Sequence, residues 1–249
     1  MMTTGQAAPR RARRRWAITA CVALLLLTAL AWGLWQIARA RCFALIGQAI
    51  CHVETGRPLV ALTFDDGPTD RGVDAILPVL AAHGARATFF LIGNELAQRP
   101  ALARRILAAG NEIGNHSYSH VRMVGHGEAF YAREIARTDA LIRAVGGRPG
   151  LFRPPNGKKL IGLPRALASA QRRMIMWDVE DPRTDDPAAF ARQIVAQARP
   201  GSIILVHAMY RANRTGRQAL PLILDGLAAR GLKVVTVSDL LAAGAPPKD

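Results

Sequence analysis

The 249-residue sequence is short of several things at once: it has 3 cysteines, 4 lysines, 6% aromatic residues, and 18 acidic against 33 basic side chains. Three cysteines exclude a disulfide-knotted scaffold, so a packed core, with or without a metal, must supply the stability. The shortage of lysine leaves arginine to carry nearly all of the positive charge, which reflects composition more than selected chemistry. Nucleic-acid binding calls for clustered cations and stacking rings. The sequence beyond residue 41 has few aromatics and scattered basic residues, so nucleic acid is not an expected partner. With 50% apolar and 20% charged residues, extended disorder is excluded, and the length suits one domain of fair size.

One stretch has no charge at all. From Trp16 to Ala38, 23 residues run without an ionisable acid or base, bounded by Arg15 and Arg39. As a helix this run is roughly 34 Å long, enough to cross a bilayer core with some tilt. Trp16 stands at one end and Trp32 and Trp35 near the other, the pattern of an interfacial aromatic belt. Arg10, Arg11, Arg13, Arg14 and Arg15 precede the run and Arg39 and Arg41 follow it, so the positive-inside rule puts the N-terminus in the cytoplasm and the remainder outside. A cleavable signal peptide is the alternative, with Ala38-Arg39-Ala40 as its small-residue site. The length favours an uncleaved anchor, because signal h-regions span about 7–15 residues. The expected organisation is a basic tail over 1–15, an anchor over 16–38, a linker over 39–52, a folded domain over 53–241 and a C-terminal tail over 242–249. Without its first seven arginines the chain keeps 26 basic against 18 acidic residues, a balance suited to an anionic wall or lipid surface. A Cys42–Cys51 disulfide is conceivable outside the cytoplasm, but a helical Arg41–Val53 segment would hold the two thiols too far apart.

Past Leu59, short β-rich runs alternate with longer amphipathic ones. Strands are expected at 59–64, 87–92, 112–114, 151–152, 174–177, 202–206 and 233–237, with helices at 73–82, 100–109, 128–145, 163–170, 187–198 and 218–230. Repeated βα units imply an α/β fold with a parallel sheet covered by helices, and about seven strands in order can curl into a distorted (β/α) barrel.

The chemically capable side chains cluster where these strands end. Asp65 and Asp66 follow the first strand, His116 and His120 the third, Arg153 the fourth, Asp178 to Asp186 the fifth and His207 the sixth. In βα folds the C-terminal strand ends share one face, so residues up to 142 positions apart would meet at one mouth. Two imidazoles four apart on one helical turn, with a carboxylate, make a ligand set for zinc or a similar divalent ion. The prolines of Phe152-Arg153-Pro154-Pro155-Asn156-Gly157 stiffen a loop that presents a forked donor. His52, His83 and His126 lack such company and are expected at the surface.

Together these motifs make the chain resemble the polysaccharide deacetylase family, carbohydrate esterase family 4 or the NodB homology domain, from about Val53 to Leu241. The resemblance implies a metal-dependent hydrolase that removes N-acetyl, less often O-acetyl, groups from a cell-envelope glycan. It implies Asp66, His116 and His120 as metal ligands, Asp65 as catalytic base, Arg153 as its orienting partner and His207 as catalytic acid. It also implies the backbone N–H of Asn156 as an oxyanion donor, although the family usually carries an aromatic residue there. The family's Asp-Trp pair that tunes the acid is missing as such, leaving Asp181 or Asp185 for that task. The expected cofactor is one divalent ion, zinc first, with cobalt, nickel or manganese able to take the same ligands. The expected partners are an acetylated glycan and, through the N-terminal helix, a membrane. A deacylase of a lipid-linked amino sugar and an inactive membrane-tethered glycan-binding protein are the alternatives.

Overall fold

The computed structural model of the chain describes residues 10–244. The start of the expected basic tail and most of the expected C-terminal tail lie outside the described residues. A helix, α1 (Arg10–Arg39), comes first, and its stretch Arg13–Arg39 is long and apolar enough to cross a membrane. None of its most apolar window is buried by the rest of the chain. The helix stops where the Ala40 N–H turns back to the Ile37 carbonyl, 3.1 Å away.

The expected possibility of a helix over Arg41–Val53 is not realised. The chain after α1 is irregular and then forms a short strand, β1 (Ala49–Ile50), inside the expected linker. This reversal brings the Cα atoms of Cys42 and Cys51 to 5.2 Å, and the two residues are disulfide-bonded.

The α/β unit follows in the order β2 (Leu59–Asp65), α2 (Asp70–Ala82), β3 (Thr88–Leu91), α3 (Gly93–Gln98), α4 (Pro100–Ala108), β4 (Glu112–Asn115) and α5 (Glu128–Ala144). It continues with β5 (Leu151–Phe152), α6 (Gly162–Ser169), β6 (Arg173–Ile175), α7 (Pro187–Gln197), β7 (Ile203–His207), α8 (Arg214–Ala229), β8 (Lys233–Val235) and α9 (Val237–Ala242). The eight strands therefore exceed the expected seven by β1, and α3 and α9 were not expected. The last strand is shorter than its apolar run because Thr236 caps α9, its side chain accepting from the Asp239 N–H at 3.1 Å. Such a cap contributes about 1 kcal/mol to a helix start.

All ladders are parallel, in the order β1-β6-β5-β4-β3-β2-β7, with β8 also paired to β2. The sheet curls until its far sides meet at two isolated bridges, Val179 with Ile204 and His52 with Ser202. This is the curled (β/α) half-barrel of the expected fold class.

Alternation along the strands sorts the side chains. Leu62, Phe64, Phe89, Leu91, Ile113, Ile204 and Val206 face outward and pack with Ile76, Leu80, Ile106, Ile194 and Ile223 of the helices. Ala61, Phe90, Phe152, Ile175, Ile203 and Leu205 face inward. Burying each large apolar side chain contributes about 1.5–3 kcal/mol. The same parity turns Thr63, Asp65 and His207 toward the inside. Gly114 belongs to this inner face too: a Cβ there would meet the Phe90 ring at 2.5 Å, so only glycine lets that ring lie flat against β4.

Candidate active site and metal centre

Strands β2 and β7 each run one residue past the expected ends at 64 and 206, and their ladder finishes with Asp65 opposite His207. In-register neighbours on parallel strands point the same way, so this register alone sets the two side chains next to each other. Asp66 then leaves the sheet with φ 75°, a left-handed conformation that short polar residues tolerate, and its side chain turns to a different side of the mouth.

The two imidazoles do not share a helical turn. Residues 116–120 form a loop in which Ser117 (φ 64°) and His120 (φ 58°) are left-handed. Fixed acceptors hold this shape. Glu134 of α5 accepts from the N–H groups of Tyr118 (3.0 Å) and Ser119 (2.9 Å), Asn115 Oδ1 accepts from Ser117 N–H (2.8 Å), and Ser117 Oγ accepts from His120 N–H (3.0 Å). Asn115 is held in turn by donating to Asp139 (2.8 Å), which also accepts from Arg172 (2.8 Å). A loop with backbone donors satisfied in this way brings the rings together as a helix would, with ring centroids 5.0 Å apart.

Asp66, His116 and His120 each offer a ligand atom, all within 4.8 Å of one another. Asp66 Oδ1 lies 3.3 Å from His120 Nε2 and 3.8 Å from His116 Nε2. Two donors each about 2.1 Å from one zinc ion in tetrahedral geometry would stand roughly 3.4 Å apart. Asp66 Oδ1 is buried and has no hydrogen-bond partner among the described residues, and a cation would relieve that deficit. His116 Nδ1 lies 2.8 Å from the Arg153 carbonyl, which can only accept, so the proton sits on Nδ1 and Nε2 presents its lone pair. Burial lowers the pKa of His116 despite the nearby Asp65 and Asp66, which favours the neutral form a ligand needs. These residues fit a divalent cation.

Arg153 is fully buried and binds with its whole fork. It donates to Asp65 (2.7 Å), Thr63 Oγ1 (2.7 Å) and the Met176 carbonyl (3.0 Å), and its guanidinium lies 4.1 Å from the Phe90 ring centroid. Burial alone would raise the pKa of Asp65, but Arg153, helped by His116 and His207, outweighs it and holds the carboxyl below its ordinary range. On the neighbouring strand, His207 Nδ1 lies 2.9 Å from Asp181 Oδ2, and the His207 N–H also reaches that carboxylate at 3.0 Å. Burial opposes the charged ring, yet the Asp181 hydrogen bond and the charges of Asp65, Asp181 and Asp66 push the His207 pKa up to about 9.

These groups line a cleft of about 430 Å³ together with Asn156 (φ 55°), Trp177, Glu180 and Leu205. The structure thus brings together Asp65, Asp66, His116, His120, Asn156, Asp181 and His207, with Arg153 behind Asp65. Asp185 is exposed and does not line this cleft. His83 and His126 are exposed as expected, but His52 is not, because its Nδ1 lies 2.9 Å from Asp178 where the barrel closes. Sequence reasoning missed Trp177, Glu134 and Asp139. Trp177 stands apart as the sole tryptophan beyond the apolar segment, and the two acids sit on the same buried face of α5 as Tyr131, Ile135 and Ile142.

A curled βα barrel with an Asp/His/His cluster at the C-terminal strand ends defines the class, and the polysaccharide deacetylase family model matches residues 52–175. The chain belongs to that family. It is 34% identical to the peptidoglycan-N-acetylmuramic acid deacetylase PdaC of Bacillus subtilis over 76% of this chain, but spans only 40% of that relative. It is 35% identical to a chitooligosaccharide deacetylase of Sinorhizobium fredii over 61% of this chain and 73% of the relative. Among solved structures, a family 4 carbohydrate esterase from Streptomyces lividans in complex with acetate superposes with a TM-score of 0.68 at 35% identity, covering 76% of this chain and 98% of the other. A family 4 pseudoenzyme from Bacillus anthracis superposes with a TM-score of 0.70 at 25% identity, covering 79% and 69%. The fold of this family therefore does not guarantee turnover, and the side chains must carry that argument.

Proposed function

We propose that this chain is a metal-dependent hydrolase that removes N-acetyl groups, and secondarily O-acetyl groups, from amino sugars of a cell-envelope glycan. The observation that carries this reading is the buried Asp66 oxygen without a donor, set between two imidazoles and beside an ionised carboxylate and a protonated imidazole. A bare glycan-binding protein would have no use for that set.

Asp66, His116 and His120 would hold a divalent ion, zinc first, which when bound would supply Lewis acidity to the acyl oxygen and a lowered pKa of water. Asp65 takes the proton of the attacking water. Arg153 keeps Asp65 ionised and aimed, a positioning role. The backbone N–H of Asn156, on the rim of the cleft, donates to the oxygen that gains charge, and a donor of this kind is worth about 3 kcal/mol. The His207 imidazolium gives its Nε2 proton to the departing amine, and Asp181 accepts from Nδ1–H before and after, which fixes the orientation of the ring. The product exchanges a neutral acetamide for an ammonium, so the glycan becomes more basic.

In the same reading α1 is an uncleaved anchor, residues 53–241 are the catalytic unit, and that unit lies outside the cytoplasm. The Cys42–Cys51 bond supports this placement, since such bonds persist in oxidising compartments. The test is acetate release from acetylated chitin oligomers and peptidoglycan fragments by the metal-loaded full chain in detergent. Chelation is expected to stop release, and His116→Ala to lose the metal. Undiminished turnover by the chelated sample would overturn the scheme, and binding without release would identify a glycan-binding protein instead.

A further inference from the structure

The chain does not leave α1 on a free tether. The Lys159 N–H donates to the Ala38 carbonyl at 3.1 Å, and the ammonium of the buried Lys159 donates to the Ala40 carbonyl. Cys42 is bonded to Cys51, the residue after β1, and β1 is paired to β6. All of these ties fall within three residues of Arg39, so the end of the apolar helix is held directly against the catalytic unit.

Beyond α1, the described residues hold five exposed large apolar side chains: Phe43, Leu45, Val121, Ile161 and Leu222. Such residues scattered singly are ordinary. Three of these five are gathered at the α1 end. Phe43 and Leu45 lie on the segment that leaves the helix, where Ala44 packs against the core and Ile46 lines a cavity with Gly162 and Arg165 of α6. That alternation turns Phe43 and Leu45, 52% and 42% exposed, to the outside. Ile161, 40% exposed, directly precedes α6 and is two residues from Lys159, at most about 7 Å of chain from the bond to Ala38. Phe43 is four residues from Arg39, at most about 14 Å of chain. Exposed Trp32 and Trp35 are the side chains that mark a headgroup layer on the helix itself. Continuity with the apolar helix names the occupant, because a bilayer that holds α1 meets these three side chains next.

We propose that the catalytic unit is seated on the bilayer, with Phe43, Leu45 and Ile161 in the headgroup layer as a second membrane contact beside α1. This rests on the anchor reading above and goes beyond it: the unit does not swing free, and it is confined to glycan close to the membrane. The test is nitroxide labelling of the full chain in nanodiscs, read as collision with oxygen, which enters the bilayer, and with a water-soluble nickel chelate, which does not. Three chains carry one label each: the native chain at its free Cys21, the Cys21→Ser, Ile161→Cys chain, and the Cys21→Ser, Leu222→Cys chain as the water-facing reference on α8. Labels at 21 and 161 are expected to be shielded from the chelate and the label at 222 freely reached, with 161 the shallower of the shielded pair, about 5–10 Å into the interface. Adding Phe43→Ser and Leu45→Ser should return the 161 label to the value at 222 with an unchanged thermal midpoint, since both side chains are exposed. A label at 161 as accessible as that at 222, beside a shielded label at 21, would overturn the seating and leave the anchor standing. An accessible label at 21 would overturn the anchor reading and the proposal with it. Shielding at 161 that survives the two serines would overturn the contact, and spin–spin broadening between 161 labels in detergent would identify a second copy as the occupant instead.

Discussion

Two carboxylate–cation pairs stand side by side at one cleft, and burial separates their tasks. Asp65 and Arg153 meet at 2.7 Å with side chains 4% and 0% exposed, while Asp181 and His207 meet at 2.9 Å with side chains 28% and 36% exposed. The buried pair fixes one charge state, because uncoupling it would strand a charge in a low dielectric. The half-exposed pair contains an imidazole, which can give up its proton and regain it, as a guanidinium does not. A hydrolase needs both kinds of pair: a base that stays ionised and an acid that can give up its proton and recover it.

The most damaging way to break the comparison is Arg153→Leu. It leaves Asp65 buried and unpaired and is expected to cost about 3–5 kcal/mol of stability, read as a large fall in thermal midpoint. A loss below about 1 kcal/mol would mean that the pair does not hold the mouth together. Asp65→Asn comes next. Turnover is expected to fall about 10²–10⁴-fold while metal content, read by elemental analysis, stays. This variant sharpens an ambiguity in the geometry, since His116 Nε2 is 3.7 Å from Asp65 and 3.8 Å from Asp66. If the metal is lost with Asp65, the base and ligand assignments must be exchanged.

Asp181→Asn acts on the titrating side. The His207 pKa is raised from 6.5 to about 9, so the pair contributes stability below about pH 6.5 and loses it as pH rises through 9. Asp65 has the opposite sign: its depressed pKa contributes stability above its ordinary value of 3.8, lost only as pH falls below that. The alkaline limb of kcat/KM should follow His207 and shift down by about one unit or more in Asp181→Asn. A bound cation offsets the pull of Asp65 and Asp66, so both proteins are to be compared equally loaded. An unmoved limb would remove His207 as the acid. Asp185→Asn is the smallest expected effect: stability within about 0.5 kcal/mol and an unchanged pH profile, since the residue is exposed and does not line the cleft.

Much of the site was legible along the chain because strand ends are. The β-rich runs before Asp65, His116, Arg153 and His207 announce βα units, and such units put those ends on one face. Other features depended on partners distant in sequence. β1 is two residues long and gains strand geometry only by pairing with β6, so no periodicity could reveal it. That same pairing turned Cys42 and Cys51 toward each other. The choice of Asp181 over Asp185 followed from where the loop after β6 passes β7. The His116–His120 spacing pointed to two converging rings, but a loop clamped by Glu134, and no helical turn, achieves the convergence.

By itself the sequence determined which side chains alternate inward, where each strand ends, which run is apolar enough for a bilayer, and hence which reactive groups could meet. These follow from local rules, the two-residue period of a strand and the rise of a helix, that act over a few residues. Only the tertiary structure decided the ionisation of the groups that met, the partner of His207, the disulfide, and the hydrogen bond from Lys159 N–H, in the loop after β5, to the Ala38 carbonyl at the α1 end. Burial and charge pairing are set by neighbours up to 142 positions away along the chain, as Asp65 and His207 are, and such distances are closed by packing alone.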